Sequence, residues 1–188
     1  MIQDNKLLIS ETFDWYLREI LPIVSHNAIQ QKYGYHGLYT HTSAVVFRGI
    51  DYATSLNQDP RIVALACAFH DMARTNDGPD MMHAENAVPI AQRIIDKCLP
   101  LFPTEKQSVI YAVRNHTIGK VAPDFVSACL WDADRTRLSW ECGFNPMFFT
   151  TERAKQIASE NPEKYLQFMH KCMSEYAHKT VKVLDKQY

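Results

Sequence analysis

The chain has 188 residues, of which 46% are hydrophobic and 22% charged, and this ordinary composition excludes a largely disordered protein. Its 20 basic and 21 acidic residues give a net charge of -1, which argues against nucleic acid as a partner but leaves room for a small phosphorylated ligand. The longest apolar run, residues 62–69, is far shorter than the roughly 20 residues of a membrane span, and the five scattered cysteines favour reduced thiols in a cytoplasmic protein.

Apolar residues recur at helical spacing through most of the chain, and no convincing strand-like alternation interrupts them. This pattern predicts an all-α fold of about six to eight helices in one compact domain, residues 1–188. The first helix is predicted to end near Pro22. A second runs from Thr40, which serves as its N-cap, to about Leu56. The next begins at Asp59–Pro60, because aspartate favours the N-cap and proline the first helical position.

The second half of the chain begins with a break at residues 76–80, where asparagine, aspartate, glycine and proline favour a turn. Thr104 and Gln107 form a predicted capping box at the start of a helix that runs to about His116. The aromatic stretch 138–151 is predicted to be irregular. The helix that begins at Asp59–Pro60 is predicted to carry residues 62–73. Further helices are predicted over residues 81–98, 123–134 and 162–185, and the last of them packs an apolar stripe on the core.

A His-Asp pair, His70–Asp71, follows the most apolar helix of the chain. A helix with that composition is predicted to be buried, so its end lies near the core. Buried ionisable groups are costly unless they are paired or bind a metal, and an imidazole beside a carboxylate is a good ligand pair for a divalent cation. Other helices would have to supply further ligands, and the candidates are His41, His83, His116, Asp132 and Asp134.

The order of these residues resembles that of the HD superfamily of metal-dependent phosphohydrolases. Tyr35-His36-Gly37 stands before His41, the pair His70–Asp71 follows 29 residues after His41, and Asp134 follows Asp71 by 63 residues. The run from Asp132 to Arg135 has the D-A-D-R form of the last motif of that superfamily. The resemblance covers roughly residues 30–140 and agrees with the all-α prediction.

The resemblance implies a metal centre and a hydrolytic reaction. His41, His70, Asp71 and Asp134 would bind a divalent cation, and the mixed ligands suit Mn, Mg, Co, Fe, Ni or Zn. The metal would activate a water molecule, with the help of Asp71, for attack on a small phosphoester such as a nucleotide. The expected partner is therefore a small phosphorylated substrate, and a homodimer is compatible with the sequence.

Two further histidines, His83 and His116, have three open interpretations. They contact the substrate phosphate or act in acid catalysis, they bind a second metal that Asp71 bridges, or they are structural. The residues around His83 partly match the H-A-E-x-G-A pattern of two-metal members, but Asn86–Ala87 stands in place of the expected x-Gly. Two alternative functions therefore stay open: a dinuclear iron oxygenase and a non-catalytic helical module stabilised by metal.

The phosphate charge needs a cationic partner, and Arg74 is the first choice because it follows the His-Asp pair by three residues. Asp132 is expected either to orient a ligand or Arg135 or to be a simple helix-end charge. His36 is interpreted as a loop residue that could line the pocket. The segment 140–149 is interpreted as a packed apolar loop or a lid. The other nearby cations, Arg114, Lys120 and Arg135, are expected at the surface.

Overall fold

A computed structural model of the chain describes residues 2–142, 145–160, 165 and 167. These residues form helices, turns and loops and contain no strand, which confirms the predicted all-α fold. Two π-helical turns, Tyr16–Ile20 and Leu38–Thr42, and one 3-10 turn, Pro146–Phe148, accompany the α-helices. The described α-helices are α1 Ile2–Trp15, α2 Leu21–Asn27, α3 Ser43–Ser55, α4 Pro60–Phe69, α5 His83–Cys98, α6 Pro103–Asn115, α7 Phe125–Cys142 and α8 Glu152–Glu160.

Helix α4 lies at the centre of the core, as its composition predicts. The Asp59 side chain accepts a hydrogen bond from the Arg61 amide at 2.8 Å and caps the helix, which confirms the predicted start. Every residue from Ile62 to Phe69 is buried. The helix packs closely on α3 at Gly49, where an added Cβ would lie 2.6 Å from Cys67 Sγ. This close contact of α3 and α4 positions the residues at their ends.

The first helical stretch does not end near Pro22, contrary to the prediction. The π turn Tyr16–Ile20 precedes α2, and Pro22 lies in the first turn of α2, where a missing amide hydrogen breaks no bond within that helix. The side chains of Tyr16 and Ile20 in this turn are buried in the core. The Tyr16 hydroxyl and Ser43 Oγ form a hydrogen bond of 3.1 Å, which ties the turn to α3.

Three other predicted helix ends differ from those of the structure. Thr40 is not an N-cap: it lies inside the second π turn, and its hydroxyl donates to the Gly34 carbonyl at 2.8 Å. Helix α6 begins at Pro103 with Phe102 rather than Thr104 as its N-cap, and Glu105 Oε2 accepts from the Phe102 amide at 2.7 Å. Helix α7 continues to Cys142 rather than 134, so part of the stretch predicted as irregular is helical.

Asp132 joins α7 to the start of α8 and is fully buried. Its carboxylate accepts from the amide of Thr150 at 3.0 Å and from that of Thr151 at 2.6 Å. The carboxylate thus anchors the chain before α8, a helix that the sequence did not predict. Beyond α8, the predicted helix 162–185 lies outside the described residues except for Tyr165 and Gln167; Tyr165 is buried in the core cluster.

We expect Asp132→Ala to lower the free energy of unfolding by about 2–4 kcal/mol, because it removes the acceptor of two backbone amides, of which that of Thr151 is buried, and a lost acceptor costs about 1–3 kcal/mol. Chemical denaturation measures this loss. Metal content per folded chain should stay unchanged, whereas Asp134→Ala should lower it. Equal metal loss in both variants would contradict a purely structural role for Asp132.

Candidate metal centre

The four ligands that the resemblance implies come from three parts of the chain and meet at one point. His41 ends the π turn before α3, His70 and Asp71 follow α4, and Asp134 lies in α7. His41 Nε2 lies 3.2 Å from Asp134 Oδ1 and 3.3 Å from His70 Nε2. Asp71 Oδ2 lies 3.4 Å from His70 Nε2 and 3.6 Å from His41 Nε2. The packing of α3, α4 and α7 therefore produces a cluster of four ligand atoms.

The distances within this cluster fit a bound cation. Ligand atoms about 2.1 Å from a metal lie about 3.0 Å apart in an octahedron and about 3.4 Å apart in a tetrahedron. His41 Nε2 and His70 Nε2 face each other. A cation between them would bind the lone pairs of both nitrogens, whereas without a cation one nitrogen must carry a hydrogen and donate it to the other. Two imidazoles and two carboxylates also suit first-row divalent metals. The residues present therefore fit the metal that the resemblance implies.

A second cluster forms on the other oxygen of the same carboxylate. Asp71 Oδ1 lies 3.1 Å from His83 Nε2 and 3.7 Å from His116 Nε2. The two histidine nitrogens are 2.9 Å apart. His83 is the first residue of α5, and His116 directly follows α6. Asp71 thus presents one oxygen to each histidine pair, and the second cluster fits a cation by the same distance criterion.

Backbone carbonyls orient three of the four imidazoles. His70 Nδ1 lies 2.7 Å from the Cys67 carbonyl, and His116 Nδ1 lies 2.7 Å from that of Val113. His83 Nδ1 contacts the carbonyl of Asp80. A carbonyl fixes the hydrogen on Nδ1 and leaves the Nε2 lone pair for a metal, an arrangement usual around metal-binding histidines. Each of these Nε2 atoms faces Asp71.

The electrostatics of the site are dominated by the two carboxylates. Burial alone would raise the pKa of Asp71, but the charge and hydrogen bonds of the neighbouring histidines keep it well below its usual range. Burial would lower the pKa of His70, and the Asp71 and Asp134 carboxylates raise it to about 9. Burial lowers the pKa of His41 to about 4, although Asp134 opposes the shift. At neutral pH His70 therefore carries an extra proton in the metal-free protein, at the place where a cation would bind.

We expect metal binding to release this proton. Below pH 9 the cation must displace the proton of His70, so the apparent dissociation constant should fall about tenfold between pH 7 and 8 and level off near pH 9. The charge of His70 stabilises the metal-free fold fully below about pH 6.5, and this contribution is lost as the pH rises through 9. Calorimetric titration in buffers of different ionisation enthalpy counts the protons, and a pH-independent affinity without proton release would contradict the prediction.

Arg74 lies beside the second cluster and is held by the loop that follows it. Its Nε donates to the Asn76 carbonyl at 3.2 Å and its Nη2 to that of Gly78 at 3.0 Å. Its Nη1 lies 3.2 Å from His83 Nδ1 and 3.7 Å from Asp71 Oδ1. Only Nη1 of the guanidinium therefore faces the site, so Arg74 does not present a bidentate pair of nitrogens to it.

The remaining sequence candidates divide between the site and the surface. His36 lies at the first cluster, with Nδ1 3.5 Å from Asp71 Oδ2, although the sequence offered only its position five residues before His41 as a signal. Arg114 forms an exposed ion pair with Glu85, and Lys120 is exposed, as predicted. Arg135 was also predicted at the surface, but it is half-buried and donates to the Gly119 carbonyl. The proposed lid, residues 140–149, is described only in part.

Comparisons with known proteins agree with this arrangement. The sequence matches the HD domain family over residues 38–163, more than half of the chain. The fold is similar to the crystal structure of a predicted HD superfamily hydrolase from an uncultured Thermotogales bacterium, with a TM-score of 0.62 and 24% identity over 86% of this chain and 93% of that one. No curated protein matches the sequence significantly. Every helix in the described part of the chain is too short or too polar to span a lipid bilayer. The match to the family profile, which includes all the ligand candidates from His41 to Asp134, establishes that the chain belongs to the HD domain family.

Proposed function

We propose that the chain is a metal-dependent phosphohydrolase that acts on a small phosphoester. The observation that carries the proposal is the position of Asp71, whose two oxygens each face a different pair of histidines. The membership of the HD domain family and the resemblance of the motifs to its phosphohydrolases support the reaction type.

The chain offers two adjoining places for a cation. His41, His70, Asp134 and Asp71 Oδ2 would hold one, and His83, His116 and Asp71 Oδ1 would hold a second, because their ligand atoms lie close together. A divalent cation bound there supplies a water molecule of lowered pKa and polarises a phosphoryl oxygen. All these side chains are buried except that of Asp134, which is partly exposed, so solvent reaches the cluster at Asp134.

The chain's own residues account for binding and charge. Arg74 Nη1 would donate to a phosphoryl oxygen beside Asp71, because its two other nitrogens already bind loop carbonyls and hold it in place. The carbonyl partners of His70 and His116 prevent either ring from turning away from the site. The near-neutral overall charge favours a small substrate over a polyanion.

A panel of phosphomonoesters, phosphodiesters and nucleotides, assayed with Mn, Co and Mg after removal of bound metal, tests the proposal. We expect turnover of at least one small phosphoester that disappears with chelator and returns with metal. His26→Ala, which changes an exposed histidine on α2, is the control for general loss of a histidine and should keep full activity. No metal-dependent turnover across the panel would contradict the proposal.

The second cluster also supports a different reaction, that of a dinuclear iron oxygenase. That function requires His83 and His116 as ligands of a second iron, and the distances of 3.1 and 3.7 Å from Asp71 Oδ1 favour this ligand role. The oxygenase predicts two irons per chain and substrate-dependent oxygen uptake, which an oxygen electrode measures. The phosphohydrolase predicts release of phosphate or alcohol in the absence of oxygen.

A further inference from the structure

His36 is a histidine of the first cluster that the four-ligand set does not include. Its Nδ1 is buried and makes no hydrogen bond within the described residues. The distance of 3.5 Å from Nδ1 to Asp71 Oδ2 exceeds that of an ordinary N–H···O bond, which is about 2.7–3.2 Å. A buried nitrogen without a partner is costly, so a ligand that supplies one should bind there.

His36 is more exposed to solvent than the two other histidines of the first cluster. Its side chain is 18% exposed, whereas those of His41 and His70 are 2% and 0% exposed. The His36 and His41 rings pack edge to face, with centroids 5.1 Å apart. His36 therefore lies between the buried ligands and the solvent, next to the carboxylate that both clusters share.

The loop that carries His36 is held by a second loop through Asp77. The Asp77 carboxylate accepts from two successive amides, those of Tyr35 at 3.1 Å and His36 at 2.8 Å. Gly34 has φ +114°, and an added Cβ would lie 2.8 Å from Asp77 Oδ2. Glycine is therefore required for this close approach.

On the other side, the His36 carbonyl accepts a hydrogen bond from the buried Gln30 side chain, whose Nε2 also lies 2.9 Å from Thr42 Oγ1. Both backbone groups of His36 are thus fixed, one by Asp77 and one by Gln30. Such restraint on a loop residue is expected where the side chain must be presented in one orientation.

We propose that His36 binds the phosphoryl group of the substrate beside Asp71, and that Asp77 is the positioning residue that holds His36 there. This inference rests on the proposed function, because it names a residue that recognises the phosphate at the same site. Arg74 Nη1 lies on the opposite oxygen of Asp71, so the two donors would contact the phosphoryl group from two sides.

Calorimetric binding of inorganic phosphate to the manganese-loaded protein tests the inference without any substrate. His36→Ala should weaken phosphate binding about tenfold or more while the dissociation constant of manganese changes less than about threefold. His26→Ala, at an exposed position, should change neither constant. Unchanged phosphate affinity in His36→Ala would overturn the inference, and so would a tenfold loss of manganese affinity, because His36 would then be a metal ligand.

A double-mutant cycle tests the role of Asp77. Asp77→Ala alone should weaken phosphate binding about fivefold, yet add less than about twofold in the His36→Ala background, because its effect passes through His36. Asp14→Ala, at a half-exposed aspartate outside the site, is the control and should have no effect on phosphate binding. Additive losses would overturn the positioning role. If phosphate fails to bind the manganese-loaded wild type, the inference is overturned, while metal-dependent hydrolysis of a phosphoester would still support the proposed function.

Discussion

Asp71→Asn is expected to reduce phosphoester turnover by more than about 100-fold. Mutation of a residue that only hydrogen-bonds a metal ligand typically lowers metal affinity or activity by about 10- to 100-fold. Asp71 contacts the histidines of both clusters directly, so its loss should have a larger effect. The asparagine keeps the shape of the side chain but lacks the charge and one of the two acceptor oxygens. The measurements are kcat and KM with saturating metal, together with metal content after dialysis.

The matched control is Asp14→Asn, at a half-exposed position on α1 outside both clusters. Thermal unfolding of both variants separates a loss of chemistry from a loss of fold. Asp71→Asn with at least half of the wild-type turnover would show that the carboxylate between the two histidine pairs is not needed, and the proposed reaction would be wrong.

The double variant His83→Ala/His116→Ala has the second largest expected effect. We expect metal content to fall by about one cation per chain and turnover to fall by more than about 100-fold, because both Nε2 atoms of the second cluster are removed. The cation at His41 and His70 should remain. Mass spectrometry of the intact loaded protein measures the stoichiometry, and steady-state kinetics measures turnover.

An unchanged metal content in this double variant, with turnover still lost, would contradict a second metal and leave the pair as contacts of the substrate phosphate. His26→Ala again controls for the loss of a histidine.

Arg74 gives an additional readout, because its Nη1 lies 3.2 Å from His83 Nδ1. In Arg74→Met the metal content should stay at the wild-type value while the KM for the phosphoester rises.

Much of the site could be predicted because its residues follow strong local signals. The apolar run before His70 predicts a buried helix, and Asp59–Pro60 predicts its start, so the position of the His-Asp pair follows from the sequence. The convergence of His41 and Asp134 on this pair could be inferred only from the resemblance to a family. Spacing along the chain does not fix the packing of α3 and α7 on α4.

Three features of the structure did not follow from local sequence signals. Pro22 predicts a helix end, but the structure has a π turn before it and a further helix, α2, that contains it. Asp132 and Asp134 are two residues apart on one helix, yet only the fold decides that the first binds the amides before α8 and the second faces His41. His36 lies at the site because Asp77, 41 residues later in the chain, holds its loop.

The metal content of the protein tests the central claim most directly. Tag-free protein purified without chelator, and the Asp71→Asn variant prepared in parallel, would be analysed by inductively coupled plasma mass spectrometry. The two histidine clusters that share Asp71 predict about two divalent cations per wild-type chain and a clear loss of metal in the variant. Absence of metal from the wild type, even after incubation with Mn, Co or Fe, would contradict the account, and so would an equal metal content in the two proteins.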